Sequence, residues 1–234
     1  MDQIENKAGN NEKMNAAVAI FVKTPGFSPI KTRLGKHVGR AMAEEWHRRA
    51  AACVAESARQ SGLPAYWAVA EPEAIDHSLW RDLPRLVQPP GSLGRRMAGI
   101  HSELQRRHGS AILVGADLPQ LQPRHLSDAC IWLAADSPRR VLGPARDGGF
   151  WLFGANDSIP QTVWESVGYS REDTASRFIE AVGGEAWAML ETLTDLDQAD
   201  DLPLVLRELT GIHTASDCHH ELTSWLTEWI RQTT

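Results

Sequence analysis

Two carboxylates stand where chemistry could be done. In AILVGADLPQL, Asp117 follows a strongly apolar run and precedes Leu-Pro, which stops the strand and turns the chain. A carboxylate at such an edge can hold a hard divalent cation through oxygen, with phosphate oxygens and water completing the shell. It can equally cap the next turn through backbone amides, and spacing alone does not choose between the two. In GPARDGGFWLFG, Asp147 precedes Gly148 and Gly149. Paired glycines let backbone approach a ligand, but Asp-Gly is also a hairpin signal, and alone the motif favours the hairpin.

A third group is cationic. The stretch VAIFVKTPGFSPIKTRLG carries Lys23, Lys31 and Arg33 around a chain reversal after an apolar strand. It comes close to a phosphate-binding P-loop but lacks the glycine before Lys-Thr. Pro29 also removes a donor N–H, and Ile30 sets a β-branched side chain where backbone should approach an anion. A P-loop NTPase is therefore disfavoured, while a phosphate site built from side chains is compatible with the pattern. GSLGRRM, with Gly94, opens a helix whose amides could face a base or phosphate, although Ser92 as a simple N-cap is the plainer reading. In LTDLDQADDL, Asp197 and Asp201 lie at a helix start, where acids suit the helix dipole, so structural use is favoured over metal binding. Cys218, His219 and His220 are adjacent on a helix and cannot face one point, which discounts them as a metal site.

The elements that must position these groups alternate in type. Apolar runs at 16–22, 65–70, 85–88 and 111–116 interleave with helical patterns near 39–60, 93–107 and 123–135. RRVLGPA and GFWLFGA follow, then helices near 171–182 and 198–209 and the amphipathic LTSWLTEWI, in which Trp225 and Trp229 share one face. Such alternation predicts an α/β chain with a mostly parallel sheet, and ligands of open sheets bind at the carboxyl ends of the strands. With no GxGxxG after the first strand, a hydride-transferring dinucleotide enzyme is set aside. Residues 1–14 are polar, acidic and read as a disordered tail, leaving 15–234 as one domain.

Composition narrows the function classes. The 234 residues are 42% apolar and carry a net charge of −6, which supports a packed core and offers no basic field for nucleic acid or anionic membrane. No run reaches membrane-spanning length and no apolar leader region is present, so membrane insertion is not expected. Cys53, Cys130 and Cys218 fit no CxxC pattern and cannot all pair, which suits a reducing compartment, read as cytoplasm.

Five motifs in order, KTPGFSPIKTRL, QPPGSLGRRM, VGADLPQL, GPARDGGFWLFG and DLDQADDL, resemble the bacterial radical-SAM/selenodomain-associated transferase 1 family. That family lies in the GT-A nucleotide-diphospho-sugar transferase superfamily, with molybdenum-cofactor and 2-phospholactate guanylyltransferases among its relatives. The resemblance implies a single Rossmann-like GT-A domain whose mostly parallel central sheet is flanked by helices. It places Lys23, Lys31 and Arg33, with Gly94 of the helix-opening motif, on nucleotide phosphates. Asp117 falls at the metal-binding acid, and Asp147 with Gly148 and Gly149 at the acceptor-side motif. The chain departs from the family where Ser28 replaces a usual glycine. The implied activity is a Mg²⁺- or Mn²⁺-dependent transfer of a glycosyl or nucleotidyl group from a nucleotide or nucleotide-sugar donor to a small-molecule acceptor, with Asp117 and Asp147 catalytic. The alternative is a catalytically idle nucleotide binder of the same fold.

Overall fold

Strand β1 (Ala16–Val22) is buried on both faces, as a central strand of a parallel sheet must be, and everything else is arranged around it. In the computed structural model, which describes residues 15–213 and 215–233, it is followed by α1 (Thr32–Val38), α2 (Arg40–Gln60), β2 (Ala65–Val69) and β3 (Arg85–Val87). Next come α3 (Leu93–His108), β4 (Ser110–Gly115), α4 (Pro123–Leu133), and a hairpin of β5 (Arg140–Pro144) with β6 (Phe150–Ala155). The chain closes with α5 (Gln161–Ser166), α6 (Thr174–Val182), β7 (Trp187–Met189), α7 (Leu202–Thr210) and α8 (Asp217–Thr233). The tail read as disordered, residues 1–14, lies outside the described residues.

The seven strands form one sheet in the order β3-β2-β1-β4-β6-β5-β7. β1 pairs in parallel with β2 and β4, and β6 alone runs against its neighbours β4 and β5. The sheet is thus mostly parallel, as the sequence predicts. Its strand order reverses at β1 and β4, so the crevice beyond their carboxyl ends is the expected ligand site.

Alternate residues of β1 face two different helix layers. Ala16, Val18, Ile20 and Val22 pack against Val54 and Ala58 of α2 and Leu126 and Leu133 of α4. Ala17 and Ala19 face Ile100 and Leu104 of α3, with Trp164 and Phe178 of α5 and α6 beyond. A third cluster joins the outer face of α2, through Trp46 and Ala50, to α1, α7 and α8. There the Trp225 and Trp229 rings meet at 5.2 Å, tilted by 43°, but only Trp229 is buried, while Trp225 lies half-buried under the Arg49 guanidinium.

Helices α1 and α5 and strand β7 escape the sequence pattern because each is too short for a period to register. The cysteine reading needs correction. Cys53 of α2 and Cys218 of α8 are joined by a disulfide across 165 residues, and Cys130 is the buried free thiol. Sequence spacing cannot show such a pairing, and it withdraws the argument from unpaired thiols for a reducing compartment.

The β5–β6 hairpin turn constrains one glycine sharply. Gly148 has φ +87°, and a Cβ there would lie 1.9 Å from the Glu172 carbonyl oxygen, whereas a Cβ on Gly149 would meet only the Asp147 carboxylate, at 3.1 Å. Gly148→Ala is therefore expected to cost at least about 1–3 kcal/mol from backbone strain alone, and Gly149→Ala clearly less. Urea unfolding of the two variants checks this, and equal losses would contradict it.

Candidate functional site

The loop leaving β1 is held from behind. The Thr24 N–H donates to Glu71 Oε2 at 3.0 Å, and the Trp80 indole donates to Thr24 Oγ1 at 2.9 Å. Phe27 and Ser28 N–H groups close back on the Thr24 carbonyl, a turn made possible by Gly26 at φ +87°. The loop then ends on Lys31, which takes the left-handed conformation at φ 42°, ψ 48° just before α1.

That backbone position directs the Lys31 side chain inward, where only 5% of it is exposed. Its ammonium lies 2.5 Å from Asp195 Oδ1, 3.1 Å from Asp197 Oδ1 and 3.4 Å from Asp117 Oδ2. Asp117 stands just past β4, and Asp195 and Asp197 lie between β7 and α7, so one cation ties together three distant segments. Two further cations complete the arrangement. His47 of α2 approaches Asp117 Oδ1 through Nδ1 at 2.5 Å, and Arg33 lies 3.5 Å from Asp197 Oδ2.

The charges follow from these partners. Burial alone would lower the Lys31 pKa, but Asp117, Asp195 and Asp197 together hold it above the ordinary lysine value. Burial would raise Asp117, yet Lys31 and His47 keep its carboxyl well below the usual carboxylate range. Asp195 shares its cation with two other acids and has no second one, and burial raises it to about 6 against the pull of Lys31. His47 is raised above its ordinary value because Asp117 outweighs burial. Its Nε2 faces the Lys23 carbonyl at 2.9 Å, so both ring nitrogens meet acceptors and both carry protons.

A cavity of about 430 Å³ opens over this cluster, lined by Lys23, Lys31, Arg33, Arg96, Asp117 and Gln88 among others. The Gln88 amide nitrogen is pinned to the Ala68 carbonyl at 2.8 Å. A second cavity, about 820 Å³, shares Arg33, Asp195 and Asp197 with the first and adds Asp147, Gly148, Gly149 and Arg146. Asp147 sits in the hairpin turn, where one carboxylate oxygen accepts the Gly149 N–H at 2.9 Å. The hairpin reading and a place in a cavity thus hold together for this residue. Gly94 lines neither cavity. It is buried where a Cβ would lie 2.3 Å from the Trp164 carbonyl oxygen, so its missing side chain serves the packing of α3 on α5, while Leu93 and Arg96 beside it reach the first cavity. Ser92 is the N-cap of α3, accepting the Arg95 N–H at 3.3 Å.

The oxygen donors gathered here are of the kind a hard cation takes. Among the described residues, however, no group of three or more His, Cys, Asp or Glu is arranged to hold a metal ion, and the Lys31 ammonium lies where the carboxylates converge. Asp201, read with Asp197 as a helix-start acid, does serve that role by accepting the Asp197 and Gln198 amides. Asp197 instead turns its own carboxylate to Lys31 and Arg33.

A family model described as "Uncharacterized protein conserved in bacteria (DUF2064)" matches residues 54–171. The chain belongs to this family. Among solved structures, the DUF2064 chain is similar to a protein of Desulfovibrio desulfuricans G20 described as a "putative nucleotide-diphospho-sugar transferase". Identity is 22% and the TM-score 0.76, over 93% of this chain and 97% of that one. It is also similar to 4-diphosphocytidyl-2C-methyl-D-erythritol synthase of Anaerococcus prevotii DSM 20548, at 7% identity and a TM-score of 0.53, over 83% of this chain and 96% of that one. At these identities the likeness establishes a shared fold. No curated protein matches the sequence. No helix among the described residues is long and apolar enough to cross a membrane.

Sequence reasoning located Lys23, Lys31, Arg33, Asp117 and Asp147 near these cavities but missed His47 and Asp195. His47 had one visible signal, a polar residue in the apolar stripe of Ala43, Trp46 and Ala50 on α2.

His47 supplies a pH test. Its folded pKa is raised, so its pairing with Asp117 stabilises the fold fully below the unfolded value of about 6.5 and is lost as pH rises through the folded value. The imidazole NMR signals of His47 are expected to titrate above pH 6.5. The stability gap between wild type and His47→Gln should shrink as pH rises above 6.5 and through the folded value. A midpoint below 6.5 would contradict the charged pair.

Proposed function

We propose that this chain is a transferase acting in the cytoplasm on a nucleotide-activated donor, moving a glycosyl or nucleotidyl group to a small-molecule acceptor. One observation carries the reading: two adjoining cavities at the carboxyl ends of β1 and β4. The first is lined by Lys23, Lys31, Arg33 and Arg96, and the second holds Asp147. The basic side chains suit a donor's phosphates, and the second cavity suits an acceptor within reach of them. The fold shared with a protein described as a nucleotide-diphospho-sugar transferase and with a diphosphocytidyl synthase supports the reading, as does the motif order of the radical-SAM/selenodomain-associated transferases.

In this scheme Lys31 and Arg33 offset the charge that grows on the phosphate during transfer. Lys31 is preorganised for it, because its ammonium is already desolvated and permanently charged. Asp147 keeps one carboxylate oxygen on the Gly149 amide and turns its carboxylate to the acceptor cavity as a general base. Asp117 and Asp195 would be the carboxylates offered to a Mg²⁺ or Mn²⁺ brought by the donor, which would neutralise phosphate charge, but Lys31 holds both in this structure. The rival reading, a nucleotide binder without chemistry, is favoured by the Lys31 ammonium already neutralising those carboxylates.

Thermal-shift titration with nucleosides, nucleotides and nucleotide sugars, with and without Mg²⁺ and Mn²⁺, tests the proposal. A phosphate-bearing ligand is expected to stabilise the wild type, and Arg33→Ala to weaken a diphosphate about tenfold while sparing the nucleoside. Equal losses for both would remove Arg33 from phosphate binding, and no stabilisation by any of them would overturn the reading. Turnover separates the rivals: Asp147→Asn is expected to bind donor normally but to transfer roughly a hundredfold more slowly. Donor that binds but is never consumed in a pool of acceptors would instead support the idle binder.

A further inference from the structure

We propose that the Cys53–Cys218 bond is a redox-sensitive clamp on the loop that carries Asp117. Beside Lys31 on Asp117 and the Gln120 amide on Thr194 and Glu208, three side chains of the two helices that the bond joins grip that loop. His47 of α2 holds the Asp117 carboxylate, at 2.5 Å. Ser57 of α2 donates to the Leu121 carbonyl at 2.7 Å, and His219 of α8 donates through Nε2 to the Pro119 carbonyl at 2.9 Å. Cys53 lies between His47 and Ser57 along α2, and Cys218 immediately precedes His219. The disulfide therefore sits between the grips, fixing the start of α8 against the helix that supplies the other two.

The placement fits a bond that opens and closes. Cys53 is fully buried among Trp46, Ala50 and Leu222, while Cys218 is half-buried near the α8 N-terminus, so a reductant reaches the Cys218 sulfur first. A dithiol's thiolate attacks that sulfur, forming a mixed disulfide and expelling Cys53 as thiolate, which takes a proton. The second thiol of the reductant then displaces Cys218 and closes the reductant's own disulfide. Two electrons and two protons thus pass to the protein, giving two thiols.

With the bond open, α8 keeps its packing on α2 through Leu222, Leu226 and Trp229, but its first turn loses the covalent tie beside His219. The grip on Pro119 loosens, and the freedom of the Asp117 loop rises with it. A purely structural disulfide would behave otherwise: its reduction lowers global stability and leaves native-state motion of this loop unchanged.

Hydrogen exchange of the full chain, oxidised or treated with dithiothreitol, separates the two. Amides of residues 116–121 are expected to exchange about tenfold faster after reduction, while those in the middle of β1 and β4 do not change. Cys218→Ser should reproduce the faster exchange and no longer respond to dithiothreitol. His219→Ala, with the bond intact, should speed exchange at the loop as well. Unchanged loop exchange on reduction, or three free thiols titrating when the oxidised protein is denatured without reductant, would overturn the clamp. Exchange does not depend on any ligand, so a wild type that binds no nucleotide in either redox state counts against the proposed function alone.

Discussion

A single buried ammonium holds the candidate site together. Lys31 arrives from the β1 loop, Asp117 from the end of β4, and Asp195 and Asp197 from the segment after β7. Gln120 and His47 each tie two of these segments, whereas Lys31 touches all three. Removing a charge of this kind from water is costly, and the cost is offset only because three carboxylates surround it. The left-handed backbone at Lys31 belongs to the same constraint, since strain of that sort persists only where the surroundings dictate it.

The other features of the site are consequences of this charge balance. Three acids against Lys31 alone would leave excess negative charge, and His47 and Arg33 supply the remainder, one to Asp117 and the other to Asp197. His47 must then be a cation, and its second ring nitrogen fixes the Lys23 carbonyl, which anchors the first residue of the basic loop. The same histidine belongs to α2, so the packing of that helix on α8 and the bond between Cys53 and Cys218 bear on the position of Asp117.

Much of the framework was legible because it depends on local pattern. β1, α2, α3 and β4 have long apolar periods, and Asp117 was placed at a strand end by the Leu-Pro that follows it. The Asp147 turn was readable for the same reason, since Asp-Gly carries its own backbone preference. What sequence could not show is convergence. Lys31 and Asp195 lie 164 residues apart, and the direction of the Lys31 side chain depends on a backbone conformation that lysine rarely adopts. Asp197 was read as a helix-start acid because its neighbour Asp201 is one, and Gly94 as a ligand contact because glycine serves close packing and ligand approach alike.

The pH dependence of Lys31→Met stability tests the dependence on this one charge most directly. Without the ammonium, Asp117, Asp195 and Asp197 repel one another, and the folded pKa values of Asp117 and Asp195 rise, because Lys31 lowers both. The variant is then destabilised increasingly as pH climbs through those values. Denaturant unfolding of wild type and Lys31→Met is expected to give a small gap near pH 4 that grows to the order of 3 kcal/mol by about pH 8, allowing for partial solvent screening of the acids. A gap that stays constant across that range, or no gap at all, would mean that the Lys31 charge does not hold the site.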